Sequence, residues 1–240
     1  MKFILKLSYN GTAYHGWQRQ DNAISIQQII ESALEKITGI ETEIVGCGRT
    51  DTGVHARCYF AHFESEGQLD SEIVYKLNSV LPHDIAIEYC KKSDDDFHAR
   101  FSATSREYRY FIHWQKNPFL INQSFFLSKK LDLEAMNQAC EILMQYEDFA
   151  SFCKKGADNK TTICQLMEAR WEQTENQVIF KIKADRFLRN MVRAIVGAMV
   201  DVGLHKLSLT DFKKIIKDKN NQFTGTSVAA CGLYLWDVRY

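Results

Sequence analysis

The alternation of apolar and polar positions predicts most of the strands of this chain. In the first nine residues, Phe3, Leu5, Leu7 and Tyr9 alternate with positions that include Lys6 and Ser8, and this period of two is typical of a strand with one buried face. The same criterion predicts further strands at 43–45, 56–63, 85–89, 107–114, 162–171, 178–184 and 233–238.

Apolar positions three and four residues apart predict the helices. Ser25 and Asp132 each precede such a run and can accept a hydrogen bond from the first helical turn. Ser71 and Thr210 are the predicted caps of two shorter helices, and a further helix is predicted from 187 to 202, ended by Gly203.

The elements run strand, helix, strand, strand, helix, strand, and this order repeats in the second half. It predicts an α+β protein made of two ferredoxin-like (RRM-like) split-βαβ halves, 1–105 and 106–240, that share an extended, mainly antiparallel sheet with a central active-site cleft. Because unrelated functions use the same element order, the fold class alone does not name a reaction.

The composition predicts the redox state of the cysteines, the solubility of the protein and the kind of surface that could bind nucleic acid. The seven cysteines are scattered without a C-x-x-C pair, which favours reduced cytosolic thiols over disulfides or a closed zinc site. The longest apolar stretch, 191–200, contains Arg193 and is too short to span a membrane. We therefore expect a soluble cytoplasmic protein. Its formal net charge is zero, so any surface that binds nucleic acid must be locally basic.

The most reactive combination of side chains lies around Asp51. This residue stands between two glycines in a predicted turn, with Arg49 two residues before it and His55 four residues after it. Aspartate and glycine are ordinary turn formers, and that explanation is sufficient for Asp51 alone. A cation, a carboxylate and an imidazole on one exposed connection nevertheless favour a catalytic site.

A strand beginning at Arg106 combines arginines with aromatic side chains. Arg106, Tyr108 and Tyr110 are expected on one face, with Arg109 on the other. Arginines that contact phosphates and aromatic rings that stack on bases are typical of RNA binding. The structural alternative is an edge strand with a half-buried aromatic face.

A second basic segment precedes and enters the predicted helix at 187–202. Arg186, Arg189, Asn190 and Arg193 recur at three- and four-residue spacing, so we expect them on one face of the N-terminal end of that helix. A solvated helix face is the structural alternative to RNA binding.

The loop at 9–20 combines glycines, aromatic residues and Arg19, and is either an RNA-binding loop or a structured surface loop. His55, Cys58 and His62 are close in sequence, but a strand would direct His55 away from the other two. We therefore predict no metal site.

Long motifs occur in order along essentially the whole chain. They are Tyr-Asn-Gly-Thr-Ala-Tyr-His-Gly-Trp-Gln-Arg-Gln, Gly-Arg-Thr-Asp-Thr-Gly-Val-His-Ala, Leu-Pro-His-Asp-Ile-Ala, Asp-Asp-Phe-His-Ala-Arg-Phe-Ser-Ala-Thr-Ser-Arg-Glu-Tyr-Arg-Tyr, Met-Val-Arg-Ala-Ile-Val-Gly and Gly-Leu-Tyr-Leu. With these motifs the chain resembles the tRNA pseudouridine synthase A family of bacterial pseudouridine synthases. Family members commonly have alanine in place of Thr52, a small difference that leaves Asp51 unchanged.

The resemblance implies an isomerase that converts uridine to pseudouridine in the anticodon stem-loop of tRNA, at positions 38, 39 and 40. It implies a homodimer that needs no cofactor and no metal. In this family pattern Asp51 is the catalytic carboxylate, Tyr108 packs against the target base, Arg193 pairs with the aspartate and keeps it ionised, and Arg49 enters the RNA where the uridine leaves.

His55 and Arg106 complete the predicted substrate-binding residues. The sequence leaves open whether Asp51 attacks the ribose or abstracts a sugar proton. It assigns no role to the segment 152–162. Two other hypotheses remain: a non-catalytic RNA-binding module, which does not explain the turn at Asp51, and a metal-dependent hydrolase that uses Asp51 and His55.

Overall fold

The computed structural model describes residues 1–154, 156, 160–219 and 227–240. In this part of the chain the strands are β1 Lys2–Tyr9, β2 Val45–Gly46, β3 His55–Glu64, β4 Ile85–Lys92, β5 Ser105–His113, β6 Phe125–Phe126, β7 Leu166–Gln173, β8 Gln177–Ala184 and β9 Leu233–Arg239. The α-helices are α1 Ile26–Thr38, α2 Ile73–Val80, α3 Leu133–Leu143, α4 Met191–Gly203 and α5 Leu209–Asp218. Among these helices none has the length and apolar character that crossing a membrane requires.

The chain divides into two compact units, one comprising Met1–Thr104 with Tyr234–Tyr240 and the other Ser105–Leu233. The first unit contains strands in the order β4-β1-β3-β9, and β2 pairs with β3. β1 is antiparallel to both β3 and β4, whereas β9 runs parallel to β3. The alternating residues of β1 predicted to be buried are buried, because this face of the strand contributes to the apolar core of the unit.

In the second unit β8 lies between β5 and β7 and is antiparallel to both, while β6 adds a short parallel pair to β5. α3 packs against β7, α4 and α5. Tyr110, Met136, Phe180 and Met199 lie in the core of this unit and are fully buried. The predicted α+β class is confirmed. The division of the chain at residue 105 into two domains stays a prediction.

Two of the predicted helix caps are confirmed. The hydroxyl of Ser25 accepts a hydrogen bond from the Gln28 backbone N–H, and the carboxylate of Asp132 accepts one from Ala135. Each bond satisfies a backbone donor that the first helical turn cannot pair internally.

The other predicted caps were wrong. α5 is capped by Ser208 rather than Thr210, because the Ser208 hydroxyl accepts from the Asp211 backbone. α2 begins after Glu72 rather than at Ser71, and it has no side-chain cap. In place of a Ser71 cap, the carboxylate of Asp70 accepts from the Glu72 backbone N–H at 2.8 Å.

The predicted start of α4 at Phe187 was also wrong, since the helix begins at Met191. Asn190 precedes it in the left-handed region, with φ of 65°, and asparagine is one of the residues that tolerate this conformation. The predicted face formed by Arg186, Arg189, Asn190 and Arg193 therefore does not exist, because only Arg193 lies on the helix.

Candidate functional site

Asp51 lies in the acid loop, residues 47–54, which connects β2 to β3. The loop begins with a hydrogen bond from the Cys47 backbone N–H to the Phe60 carbonyl at 2.8 Å, and it closes with one from Val54 to the Asp51 carbonyl at 3.1 Å. Gly53 has φ of 77°, a conformation that favours glycine. This turn leaves Asp51 partly buried rather than fully solvated.

A second loop, the aromatic loop of residues 10–25, holds the acid loop on both sides of Asp51. The backbone N–H of Trp17 donates to the Thr50 carbonyl at 3.2 Å, and that of Gly53 donates to the Tyr14 carbonyl at 3.3 Å. The hydroxyls of Tyr9 and Thr50 form a buried hydrogen bond of 2.8 Å. The position of Asp51 is thus set by residues distant in sequence.

The close approach of the two loops requires glycine. A Cβ atom on Gly16, whose φ is +85°, would lie 2.3 Å from the Thr50 carbonyl oxygen, and one on Gly11 would lie 2.0 Å from that of Val54. Any larger residue would push the loops apart or strain the backbone.

Three aromatic rings, from β1, the aromatic loop and β3, pack together next to the acid loop. The ring of Trp17 stacks on that of Tyr59 with centroids 4.1 Å apart, and Tyr9 lies against both rings. The Tyr59 hydroxyl donates to the carbonyl of Gly48. Because Trp17 is only 2% exposed, its ring stabilises the loop by packing and is not available to stack on RNA.

His55 is buried at the start of β3, with 1% of its surface exposed. Its Nδ1 accepts a hydrogen bond from the Gly11 backbone N–H at 3.0 Å, and its ring stacks on Tyr234 at 4.5 Å. A nitrogen that accepts carries no proton, so this bond selects the Nε2–H tautomer of a neutral imidazole. His55 ties the aromatic loop to β3, while its predicted contact with substrate stays a prediction.

Arg49 differs from these residues in being exposed. Its Nε donates to the Oε1 of Gln18 in the aromatic loop at 3.2 Å. Arg49 and Asp51 thus lie on the acid loop, and His55 lies at the adjoining end of β3. The prediction of one exposed connection holds for Arg49 but was wrong for His55, whose ring is buried.

In the second unit, Arg106 and Tyr108 lie on one face of β5. The Tyr108 ring makes an edge-on contact with Phe187, with centroids 5.1 Å apart, and an Nη of Arg106 donates to the Asp185 carbonyl at 2.8 Å. Arg109 is on the opposite face, as predicted, and pairs with Glu107 at 2.8 Å. Both predicted site residues are thus next to the segment 185–187 that follows β8.

Tyr110 continues this face of β5 but is fully buried, and its hydroxyl donates to the Ala229 carbonyl at 2.8 Å. Burial raises the pKa of this hydroxyl well above its usual value. Tyr110 is therefore a neutral structural residue, in contrast to the partly exposed Tyr108.

Arg193 lies in the first turn of α4 and is partly buried. Its Nε donates to the Val228 carbonyl at 2.9 Å, and the Val228 backbone N–H donates to the Arg193 carbonyl at 3.3 Å. A third bond joins the Asn190 amide to the Ser227 hydroxyl at 2.6 Å. The start of α4 is thereby attached to the chain that precedes β9.

A set of polar residues connected to Arg49 through Gln18 was not predicted from the sequence. Gln27 and Glu31 are buried on α1 although both are polar. Their signal was present, because positions 27 and 31 recur at helical spacing among Ile26, Ile30 and Leu34 on the apolar side of α1. In the described ranges, no cluster of three or more His, Cys, Asp or Glu side chains is arranged to hold a metal ion.

Comparison with known proteins gives a consistent result. A family model described as tRNA pseudouridine synthase matches residues 7–102 and 139–240. A tRNA pseudouridine synthase A of Azobacteroides pseudotrichonymphae is 46% identical over 240 residues, which cover 100% of this chain and 96% of the relative. That of Bacteroides fragilis is 46% identical over 242 residues, with 100% and 96% covered, and that of Thermoanaerobacter pseudethanolicus is 38% identical over 240 residues, with 99% and 98% covered.

The chain therefore belongs to the tRNA pseudouridine synthase family. Among solved structures, a structure of H/ACA RNP bound to a substrate RNA containing 2′-deoxyuridine matches 97% of this chain and 59% of its own chain. Its 11% identity and TM-score of 0.38 are too low to bear on the fold or the site.

Proposed function

We propose that this protein converts uridine to pseudouridine in the anticodon stem-loop of tRNA, at positions 38, 39 and 40. Its family membership makes it an isomerase that acts on uridines of tRNA. The choice of stem-loop and positions is the further step of the proposal, and it rests on the resemblance of the sequence motifs to the family. The observation that carries the catalytic proposal is the acid loop, which presents Asp51 beside the exposed Arg49 on a braced backbone.

We assign the catalytic role to Asp51. The reaction breaks the N-glycosidic bond, turns the detached uracil and rejoins it through carbon, so it consumes no water, nucleotide or redox equivalent. A carboxylate serves either as a nucleophile toward the ribose or as a base toward a sugar proton. A loop fixed by distant contacts suits this role, because catalysis depends on a group held in a productive geometry.

We assign RNA binding to Arg49, Arg106, Tyr108 and Arg193. His55, also predicted to bind substrate, is as buried as Trp17, and we assign it the support of the aromatic loop instead. A base inside a stem is inaccessible, so the target uridine must leave the stack before it reacts. A partly exposed tyrosine ring suits contact with an extruded uracil, and an exposed guanidinium such as that of Arg49 suits the vacated space. The pairing of Arg193 with Asp51 stays a prediction.

The direct test compares wild type with Asp51→Asn, which keeps the size of the side chain and removes its charge. We expect pseudouridine formation in a tRNA transcript to fall by about a thousandfold or more, with tRNA affinity largely kept. Asp96→Asn, at an exposed aspartate, is the matched control and should retain wild-type turnover. Equal turnover by wild type and Asp51→Asn would favour the non-catalytic RNA-binding module.

Substrate choice is tested with transcripts in which uridine occurs at only one of positions 38, 39 and 40, or only outside the anticodon stem-loop. We expect pseudouridine in the first group alone. Turnover of the second group would contradict the proposed target. Loss of activity after exhaustive chelation would instead support a metal-dependent reaction.

We also propose that the protein is a cytoplasmic homodimer. Phe119, Ile121 and Phe126 belong to one segment of the second unit and are 84%, 66% and 49% exposed. Several large apolar side chains exposed in one segment are typical of an interface. Sedimentation velocity should show a dimer at micromolar concentration and a monomer for Phe119→Asp, whereas a wild-type monomer would contradict the proposal.

The proposed cytoplasmic location is tested separately. Cell fractionation should recover the protein with the cytoplasmic tRNA.

A further inference from the structure

A continuous chain of hydrogen bonds connects the interior of the first unit to Arg49. The Nε of Arg49 donates to Oε1 of Gln18 at 3.2 Å. The Nε2 of Gln18 donates to Oε1 of Gln27 at 3.0 Å, and the Nε2 of Gln27 donates to Oε1 of Glu31 at 2.9 Å. Each donor thus faces an acceptor from Arg49 inward to Glu31.

Gln27 fixes the direction of this chain. Its amide is 5% exposed and forms every hydrogen bond that a primary amide can form. The oxygen accepts from Gln18 and from the Arg19 backbone at 2.9 Å, while the nitrogen donates to Glu31 and to the Ile44 carbonyl at 3.1 Å. If the Gln27 amide were flipped, its nitrogen would face the Arg19 backbone N–H and its oxygen would face the Glu31 carboxylate. The Gln18 side chain must therefore direct its Nε2 toward Gln27 and its Oε1 toward Arg49.

Glu31 anchors the inner end. It is 6% exposed, and its carboxylate accepts from Gln27, from the Ile44 backbone at 3.1 Å and from Arg19 at 3.1 Å. A buried carboxylate costs free energy unless it is paired and hydrogen-bonded, and these partners satisfy that requirement. The anchor connects α1, the aromatic loop and the residue before β2.

We propose that Gln18 is a positioning residue for Arg49, held in the required orientation by Gln27 and Glu31. The inference rests on the proposed function, in which Arg49 contacts RNA. Arginine loses considerable rotamer freedom when it binds in one geometry. The bond from Nε to Gln18 restricts that freedom in advance and does not engage the two terminal nitrogens, which are the fork that recognises phosphate.

A double-mutant cycle tests this coupling in the full-length protein. Single-turnover rates of pseudouridine formation are measured for wild type, Gln18→Ala, Arg49→Ala and the double variant. We expect Gln18→Ala to slow the reaction by about five- to tenfold, the effect of one hydrogen bond, and to have no additional effect when Arg49 is alanine. An equal slowing in both backgrounds would overturn the inference.

A rescue variant separates positioning from a structural effect. Gln18→Glu keeps an acceptor for Arg49, although it loses the donor to Gln27, so its rate should lie between those of Gln18→Ala and wild type. Gln28→Ala removes a neighbouring glutamine of α1 that takes no part in this chain and should leave the rate unchanged. A rate for Gln18→Glu below that of Gln18→Ala would contradict a role through Arg49.

A measurement without substrate distinguishes failure of the inference from failure of the proposed function. In NMR measurements the Nε–H proton of Arg49 should exchange more slowly in wild-type protein than in Gln18→Ala, and the signal of the protected proton should be lost in the variant. An unchanged signal would overturn the inference even in an active enzyme. A wild-type protein that shows the signal but makes no pseudouridine would overturn the proposed function alone.

Discussion

The acid loop and the start of α4 hold their candidate residues in different ways. The acid loop is braced by backbone bonds to the aromatic loop, by the stack of Trp17 on Tyr59 and by a close approach at Gly16. Arg193 is held by two hydrogen bonds to one residue, Val228. The position of Asp51 thus depends on packing shared by many residues, whereas two hydrogen bonds to Val228 contribute strongly to the position of Arg193.

The largest effect on stability is expected from Gly16→Ala. Its Cβ would meet the Thr50 carbonyl oxygen at 2.3 Å in a backbone conformation with φ of +85°. The substitution should lower the free energy of unfolding by about 2–4 kcal/mol, measured by urea denaturation. Gly48→Ala, in the acid loop itself but facing open space, is the control and should change it by less than about 0.5 kcal/mol.

An intermediate effect is expected from Arg193→Lys. Lysine keeps the charge but has no nitrogen at the Nε position that donates to the Val228 carbonyl. The free energy of unfolding should fall by about 1–2 kcal/mol. Arg239→Lys serves as control because Arg239 is 69% exposed and its Nε pairs with Asp237, and an exposed pair of this kind contributes little. If the two substitutions lowered the free energy of unfolding equally, the bond from Arg193 to Val228 would have no special importance, and the contrast between the start of α4 and the acid loop would be contradicted.

A smaller effect is expected from Tyr59→Phe. This change removes the hydroxyl that donates to the Gly48 carbonyl but keeps the stacked ring. If bracing is shared among many contacts, the free energy of unfolding should fall by only about 1 kcal/mol, and activity should persist. A loss as large as that for Gly16→Ala would show that this single bond, and not distributed packing, holds the loop.

The smallest effect concerns pH. Burial lowers the pKa of His62, aided by nearby His98 and Lys2, and the neutral ring accepts from the Ala99 backbone at 3.1 Å. Below the ordinary histidine pKa of about 6.5, the unfolded chain binds the proton first, so stability falls as pH falls. The free energy of unfolding is measured in buffers of pH 7.5 and pH 5.5. The loss of stability between these two values should be smaller in His62→Gln than in wild type, by less than about 1 kcal/mol.

His113 provides the comparison for that measurement in the second unit. Burial also lowers its pKa, so His113→Gln should reduce this loss of stability in the same direction. A pH dependence that either substitution leaves unchanged would contradict the assignment for that histidine.

The sequence predicted elements well where local pattern and packing agree. β1 and α1 were predicted nearly to the residue, because strict alternation and a serine cap are local signals that the fold reinforces. The start of α4 was not, because residues 187–190 have helical spacing but the left-handed Asn190 separates them from the helix. Spacing alone does not report the conformation of a single residue.

For the candidate site, the sequence identified Asp51 and its turn but assigned the rings of the aromatic loop no definite environment. Trp17 is apolar enough to stack on either a base or a tyrosine, and only its position against Tyr59 decided between them. The helical spacing of Gln27 and Glu31 placed them on the apolar side of α1, but their hydrogen-bond partners, Gln18 among them, lie outside that helix and were not predictable from spacing.

The α+β class, the strand faces, the family and the acidic turn at Asp51 follow from the sequence, since they depend on periodicity, on local turn chemistry and on motifs along the chain. Which side chains brace that turn, which are buried and in which direction the amides point depend on the folded chain, because burial and hydrogen-bond partners come from residues distant in sequence. The type of a residue limits which hydrogen bonds its side chain is able to form, but the partner in each bond depends on the fold.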